Sequence, residues 1–372
     1  MRKPSNPFLV SGYHSPVYFC DRKQELDWLM DQFSNERNAV ITAWRRLGKT
    51  ALIRHFFHLI EKEKQGETIY IDILGTANLS EAHQRIASAV TRKYGDIKKG
   101  ASPAWLKLIS AIGANFSIDP LTGLPEVSVG VMPAKSVQAS LEAIGVFLSD
   151  RGKPVVICID EFQQIVNYPE DHAEAIFRSW AQEYPMVRFV YSGSHRHMME
   201  SMFSEQSRPF YRSAQILHLE ALPKDTYGKF IRRQFKKSGQ TIGQTELDLI
   251  FDWTRMQTYY IQLICNYLFG QGTITADKVR EVCTQIIQQE VPIYSSYQQL
   301  MTSFQWKLLV AIAKNGTVVN PLAKDFISAY QLGAASSVSS ALKMLEKKEF
   351  VIKTNEGLVI HDTLLMRWLQ AL

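Results

Sequence analysis

The chain has no closely spaced cysteines. Its four, Cys20, Cys158, Cys265 and Cys283, stand far apart without CxxC or zinc-type spacing, which excludes a metal knuckle and a disulfide framework and fits a reducing compartment. No apolar run approaches the ~20 residues of a membrane span, and the opening MRKPSNPFLVSGYH lacks the apolar centre of a secretory signal. These absences predict a cytoplasmic protein with no membrane contact. Internal repeats and low-complexity tracts are also missing, so neither a solenoid nor a long disordered arm is expected. Charge of one sign is scarce: 42 Lys and Arg against 36 Asp and Glu leave +6 over 372 residues, too thin an excess to announce a nucleic-acid binder. No Gly-x-Ser-x-Gly elbow or Cys/His signature argues for a serine- or cysteine-type hydrolase.

What is present reads as globular, with 46% hydrophobic and 21% charged residues and length for two or three domains. Apolar residues at Leu26, Leu29, Met30 and Phe33 mark an amphipathic helix. AVIT (39–42) is a short β-branched run entering a Gly-Lys turn, and ALIRHFFHLIEKEKQG resumes helical spacing. TIYIDI, PVVICIDEF, VRFVYSGS and QILHLEAL are four further strand-like runs separated by helical sequence. Strands alternating with helices predict an α/β fold with a parallel sheet covered on both faces. ANFSIDPLTGLPEVSVGV, alternating about a turn-rich centre, reads as a β-hairpin insertion over about 113–132. From Pro223 to about 290 the spacing is helical, and from about 295 three helices and a short hairpin (VIKTNEGLVIHD) read as a winged helix. The expected division is 1–222, 223–294 and 295–372.

Three stretches carry chemistry. In AWRRLGKT (43–50), Gly48, Lys49 and Thr50 occupy the positions of a phosphate-binding loop, where backbone N–H groups and a helix N-terminus hold the anion, lysine meets the outer phosphates and Ser/Thr meets Mg2+. Ala43 stands where that pattern begins with glycine; if the position needed positive φ, alanine would cost roughly 1 kcal/mol. About 110 residues later, the apolar run Val155–Ile159 leads into Asp160 and Glu161, two carboxylates at the strand end where α/β sheets bind ligands. One acid can hold Mg2+ while its neighbour polarises the attacking water. A third strand ends in Ser192, Gly193 and Ser194, where Ser192 either reaches the γ-phosphate or the attacking water, or belongs to a simple turn.

On these residues the chain resembles the AAA-type archaeal ATPase group of P-loop ATPases in the STAND branch, which has bacterial members. The resemblance rests on FCDRKQEL, RRLGKT, ICIDEFQQI, VYSGS, RPFYRSA and YYIQLICNYL, with GLVIHDTLLMRWLQ similar to the group's winged-helix end. It implies ATP and Mg2+ as cofactors. Ala43, Arg45, Arg46, Leu47, Gly48, Lys49, Thr50 and Ala51 would form the phosphate loop, with Lys49 on the β- and γ-phosphates. Thr50 and Asp160 would flank Mg2+, Glu161 would be the catalytic base, and a helical lid would meet adenine. Two departures stand out. Met256-Gln257-Thr258 replaces the family's Gly-x-Pro lid turn, and in Tyr211-Arg212-Ser213 the arginine falls one residue earlier than in Tyr-Gly-Arg. Arg212 is thus a candidate arginine finger. Arg22, Arg45 and Arg46 match family positions, with phosphate-steering or solvated roles.

His55/His58 and His195/His197 are spaced for metal but lack convergent ligands, and packing or solvent contact is their expected role. In the winged helix, AASSVSSALKMLEKKEF would present Ser336, Ser337, Ser339, Ser340 and Lys343 to a groove, or pack on protein. The sequence therefore predicts a Mg-ATP-binding switch, a slow ATPase or a binder only, with nucleotide between sheet and lid. Two alternatives stay open: a duplex-DNA regulator with a vestigial pocket, and a protein-binding scaffold that self-associates with nucleotide.

Overall fold

A computed structural model describes residues 4–95, 102–118, 125–130 and 132–372. The chain divides into two compact units, Ser11–Leu222 and Pro223–Leu372 with Met1–Val10.

The first unit runs α1 (Lys23–Ser34), β1 (Ala39–Ala43), α2 (Lys49–Lys62), β2 (Glu67–Asp72), α3 (Leu79–Tyr94), α4 (Pro103–Ala111), β3 (Ala114–Ile118), β4 (Pro125–Val129), α5 (Ala134–Ser149), β5 (Val155–Asp160), α6 (Ala173–Glu183), β6 (Val187–Gly193), α7 (Arg196–Ser204) and β7 (Gln215–Leu219). Five of these strands form a parallel sheet in the order β2-β5-β6-β1-β7. β1, β5 and β6 lie inside the sheet and are buried along their whole length, whereas β2 and β7 at the edges are only partly buried. Continuous apolar runs are what two covered faces require.

Because side chains alternate along a strand, β5 feeds two cores. Val155, Ile157 and Ile159 join one with residues of α3, α5 and α6, while Val156 and Cys158 join another with residues of α1 and α2. The next position on the second face is Asp160. Alternation alone therefore aims Asp160 at the α2 side, and Ser192 follows Val190 there by the same rule. β3 and β4 pair antiparallel from Ala114 opposite Val129 to Ile118 opposite Pro125; the centre of that hairpin lies outside the described residues.

The second unit contains α8 (Lys224–Lys236), α9 (Gln244–Thr254), α10 (Thr258–Leu268), α11 (Ala276–Gln299), α12 (Ser303–Asn315), α13 (Lys324–Ala329), α14 (Ala335–Lys347), β8 (Val351–Thr354), β9 (Gly357–Ile360) and α15 (Thr363–Gln370). α11 runs unbroken across position 294 with Pro292 inside it. β8 and β9 pair antiparallel, and Val318 bridges to Leu358, which widens the wing. α14 buries Val338, Ala341 and Leu345 and leaves Ser336, Ser337, Ser340, Lys343 and Lys347 exposed, with Ser339 half-buried.

Candidate functional site

β1 ends at Ala43, and the backbone reverses through Trp44–Gly48 into the first turn of α2. Left-handed backbone falls at Arg46 (φ 73°) and Gly48 (φ 90°), not at Ala43, which completes the strand in ordinary extended geometry. Alanine at 43 therefore carries no backbone strain. Gly48 offers no side chain to cap the first N–H groups of α2, which leaves an anion-binding N-terminus at the loop's exit.

Lys49 starts α2, is 8% exposed, and turns its ammonium onto the end of β5. It pairs with Asp160 Oδ1 and, at 3.2 Å, with Glu161 Oε1. Burial works against its charge, but the two carboxylates prevail and hold the lysine above its ordinary range. Asp160 is 4% exposed and collects donors: Thr50 Oγ1 at 3.4 Å, Ser192 Oγ at 2.5 Å, the Tyr70 hydroxyl and Lys49. Burial would raise its pKa; Lys49 and these hydrogen bonds outweigh burial and place the carboxyl below the usual range. Glu161, in left-handed backbone (φ 56°), accepts at Oε2 from Gln163 Nε2 (2.6 Å), Ser194 Oγ (2.8 Å) and Ser194 N (3.3 Å). It too is held low against burial, chiefly by Lys49 and then Gln163.

Residues from β1–α2, β2, β5 and β6 thus meet around a buried acid, a half-buried acid and a buried base at the C-terminal ends of parallel strands, where a crevice in an α/β sheet takes ligands. A match to known sequence decides the family. The model described as "ATPase domain predominantly from Archaea" covers residues 19–264. The chain belongs to that ATPase-domain family. A second model, "Probable winged helix domain", covers residues 292–371. This ATPase-domain protein is similar in fold to a Walker-type ATPase of Pyrococcus abyssi (16% identity, TM-score 0.70, 98% of this chain and 99% of that one). It is also similar to the ORC2 protein of Aeropyrum pernix solved as ADPNP-ADP complexes (14%, 0.62, 99% and 96%), and to the ORC1 protein of the same organism solved with DNA (14%, 0.54, 99% and 96%). No curated protein matches it.

In the ATPase-domain unit the other residues singled out from sequence fall in three places. Leu47 is buried and Ala51 half-buried, flanking Lys49. Arg22, in left-handed backbone and 4% exposed, donates to Glu25 Oε1 (2.7 Å), the Glu220 carbonyl (2.7 Å) and the Leu47 carbonyl (3.0 Å). Its guanidinium straps the loop to the end of β7 and is not solvated. Arg45 and Arg46 are exposed on the loop. Arg212 is exposed between α7 and β7 with its guanidinium over the Tyr211 ring at 5.2 Å. His55 is packed, stacking on Phe19 at 4.4 Å between centroids and bonded to the Tyr13 hydroxyl at 2.8 Å.

Sequence reasoning missed Tyr70, Gln163 and Ser194. Tyr70 is opposite Cys158 in the β2–β5 register, two positions short of Asp160, so its long side chain reaches the diagonal acid on the same face. The signal available was a polar-tipped aromatic between two isoleucines near the end of β2. Gln163 follows the acid pair by two residues, and Gly193 explains its fit: a Cβ there would stand 2.2 Å from Gln163 Oε1 and 2.7 Å from Met199.

Proposed function

We propose that the protein binds Mg-ATP at the loop between β1 and α2 and hydrolyses it slowly, as a nucleotide-driven switch coupled to its winged helix. The observation that carries this reading is the convergence of Lys49, Thr50, Asp160 and Glu161 at the mouth of an uncapped helix N-terminus. The ADPNP and ADP bound in the ORC2 structure of similar fold support the choice of ligand.

Lys49 leaves its carboxylates for the outer phosphates, and the first N–H groups of α2 receive phosphate oxygens. Among the described residues no three His, Cys, Asp or Glu form a metal cage. One hydroxyl, Thr50, beside one carboxylate, Asp160, is a donor set of hard oxygens that suits Mg2+ completed by water and phosphate. Mg2+, when bound, supplies positive charge against the outer phosphates. Glu161 takes the proton of the attacking water at Oε1, the oxygen that Lys49 vacates, while Gln163 and Ser194 fix Oε2. Ser192 orients Asp160. Arg212, exposed between α7 and β7, serves a neighbouring copy in a nucleotide-dependent oligomer.

Calorimetric titration with Mg-ATP tests the site. Binding is expected for wild type, weakened in Thr50→Ala and lost in Lys49→Ala, each checked for folding by circular dichroism. Glu161→Gln is expected to keep binding and lose at least ~100-fold in turnover, the scale of general-base catalysis. Unchanged turnover in Glu161→Gln removes the base assignment, and no binding by folded wild type sinks the reading.

A second reading concerns the winged helix. Lys343 and Lys347 sit one turn apart on the exposed face of α14 with Ser336, Ser337 and Ser340, a surface suited to duplex phosphates. Replacing both lysines by alanine is expected to weaken duplex binding and lower its salt slope by about 2. If the slope stays the same, the face meets protein instead, and sedimentation with and without ATP then tests self-association.

A further inference from the structure

A cleft of about 610 Å³ opens on the β2 edge of the first unit. Its walls are the end of β2, the turn that follows, one face of α3, and Arg54 of α2. Lys49, Thr50, Asp160 and Glu161 do not line it. Three arginines do: Arg54, Arg85 and Arg92. Arg85 and Arg92 are seven residues apart on α3, which places them on one face about 10 Å apart along the axis, with Arg54 contributed by another helix.

None of the three guanidiniums forms an ion pair or hydrogen bond among the described residues. The two acids that share the lining are engaged elsewhere. Asp72 Oδ1 accepts from the Leu74 N–H at 2.8 Å, and Glu81 uses both oxygens, on the Ala77 N–H (2.8 Å) and Asn78 Nδ2 (3.1 Å), to brace the turn into α3. These acids leave the lining only modestly positive, so recognition comes from guanidinium geometry instead of net field. Planar guanidiniums match phosphate oxygens two at a time.

We propose that this cleft is a second ligand site, which takes a small molecule bearing an oligophosphate between Arg54, Arg85 and Arg92. A concave space of this volume is of the size that holds small ligands. Nucleic acid is disfavoured because single strands need exposed aromatic faces to stack on. Tyr70, the aromatic in the lining, has its ring covered by Arg54 at 3.8 Å and its hydroxyl committed to Asp160. The same Arg54–Tyr70–Asp160 contact puts the site one side chain from the nucleotide cluster.

The test is calorimetric titration of the full chain with inorganic tripolyphosphate, using wild type, Arg85→Ala/Arg92→Ala and Lys49→Ala. Both arginines are exposed, so the double variant is expected to fold; a thermal melt checks this. Tripolyphosphate is expected to bind Lys49→Ala still, and Arg85→Ala/Arg92→Ala is expected to lose one class of site or at least tenfold in affinity. Should Lys49→Ala fail to fold, wild type saturated with Mg-ADP replaces it. A Lys278→Ala/Arg280→Ala control, removing equal charge elsewhere, is expected to leave affinity unchanged. The proposal is overturned by equal affinity in wild type and Arg85→Ala/Arg92→Ala, by equal loss in the control, or by loss in Lys49→Ala alone. It also falls if a DNA oligonucleotide, and not tripolyphosphate, shows the arginine dependence. Arginine-dependent binding would stand even if Mg-ATP did not bind at Lys49, so the two readings fail separately.

Discussion

Removing the Lys49 ammonium would leave Asp160 and Glu161, adjacent in the chain, as two facing carboxylates in a buried site. Breaking a buried pair by deleting one partner typically costs about 3–5 kcal/mol, because the remaining charge keeps its desolvation penalty. Loss of the ammonium is therefore expected to destabilise the nucleotide-free protein, and the cluster's titration has a definite sign. Asp160 and Glu161 hold protons less readily in the folded chain than in the unfolded one. Their contribution is complete above the ordinary carboxylate range near about 4 and disappears as pH falls through the lowered native values. Lys49 behaves oppositely: its native value is raised, so its contribution is complete below about 10.4 and fades as pH climbs past the native value. Urea unfolding as a function of pH is expected to show a plateau with losses at both limbs, and a shallower acid limb in Asp160→Asn. An acid limb of equal slope in that variant would show that the acid sensitivity arises elsewhere.

At the scale of elements, the end of β6 holds the Glu161 end of the site in register. Gly193 lets Gln163 and Met199 approach closer than any Cβ allows, and Gln163 in turn donates to Glu161. Gly193→Ala is expected to cost about 1–3 kcal/mol through overpacking and to reduce turnover more than Mg-ATP affinity, because Gln163 is pushed off Glu161 while Lys49 is untouched. Urea unfolding and the KM-against-kcat split read the two effects; a fall in affinity with kcat preserved would refute the placement. The same region shows what sequence could and could not reveal. Each of the five parallel strands was legible as a short apolar run, most plainly β1, β5 and β6, because strands covered on both faces admit little else. GKT and the Asp160-Glu161 pair were legible because loop chemistry restricts residue types. The contacts of Tyr70, Gln163 and Ser194 were not, since they arise from strand register and side-chain approach, and Arg22 was legible as a residue but not as the strap between the loop and β7. Ala43 illustrates the converse: a departure in the motif carries no backbone strain, because the left-handed positions are Arg46 and Gly48.

At the scale of the whole molecule, the second unit joins α9 and α10 to the winged helix through polar contacts. Arg367 donates to the carbonyls of Trp253 (3.0 Å) and Asp252 (2.7 Å) at the end of α9, and Arg255 reaches Thr317 at 3.1 Å. Asp362 is the most concentrated of these joints. Its Oδ1 accepts the Tyr260 hydroxyl of α10 at 2.6 Å and caps α15 through the N–H groups of Leu364 (2.9 Å) and Leu365 (3.3 Å). An N-cap is worth about 1 kcal/mol, and a hydrogen bond to a charged group about 1.5–3 kcal/mol. Asp362→Ala is therefore expected to destabilise this unit by about 2.5–4 kcal/mol, and Asp362→Asn by less, since asparagine still caps a helix. Scanning calorimetry is expected to lower the unfolding transition that contains α10 and α15 in the order wild type, Asn, Ala. Equal losses for the two substitutions would place the joint's strength in the charge of Asp362 and not in the cap, and no loss in either would mean that the winged helix is held to α10 by its apolar packing alone.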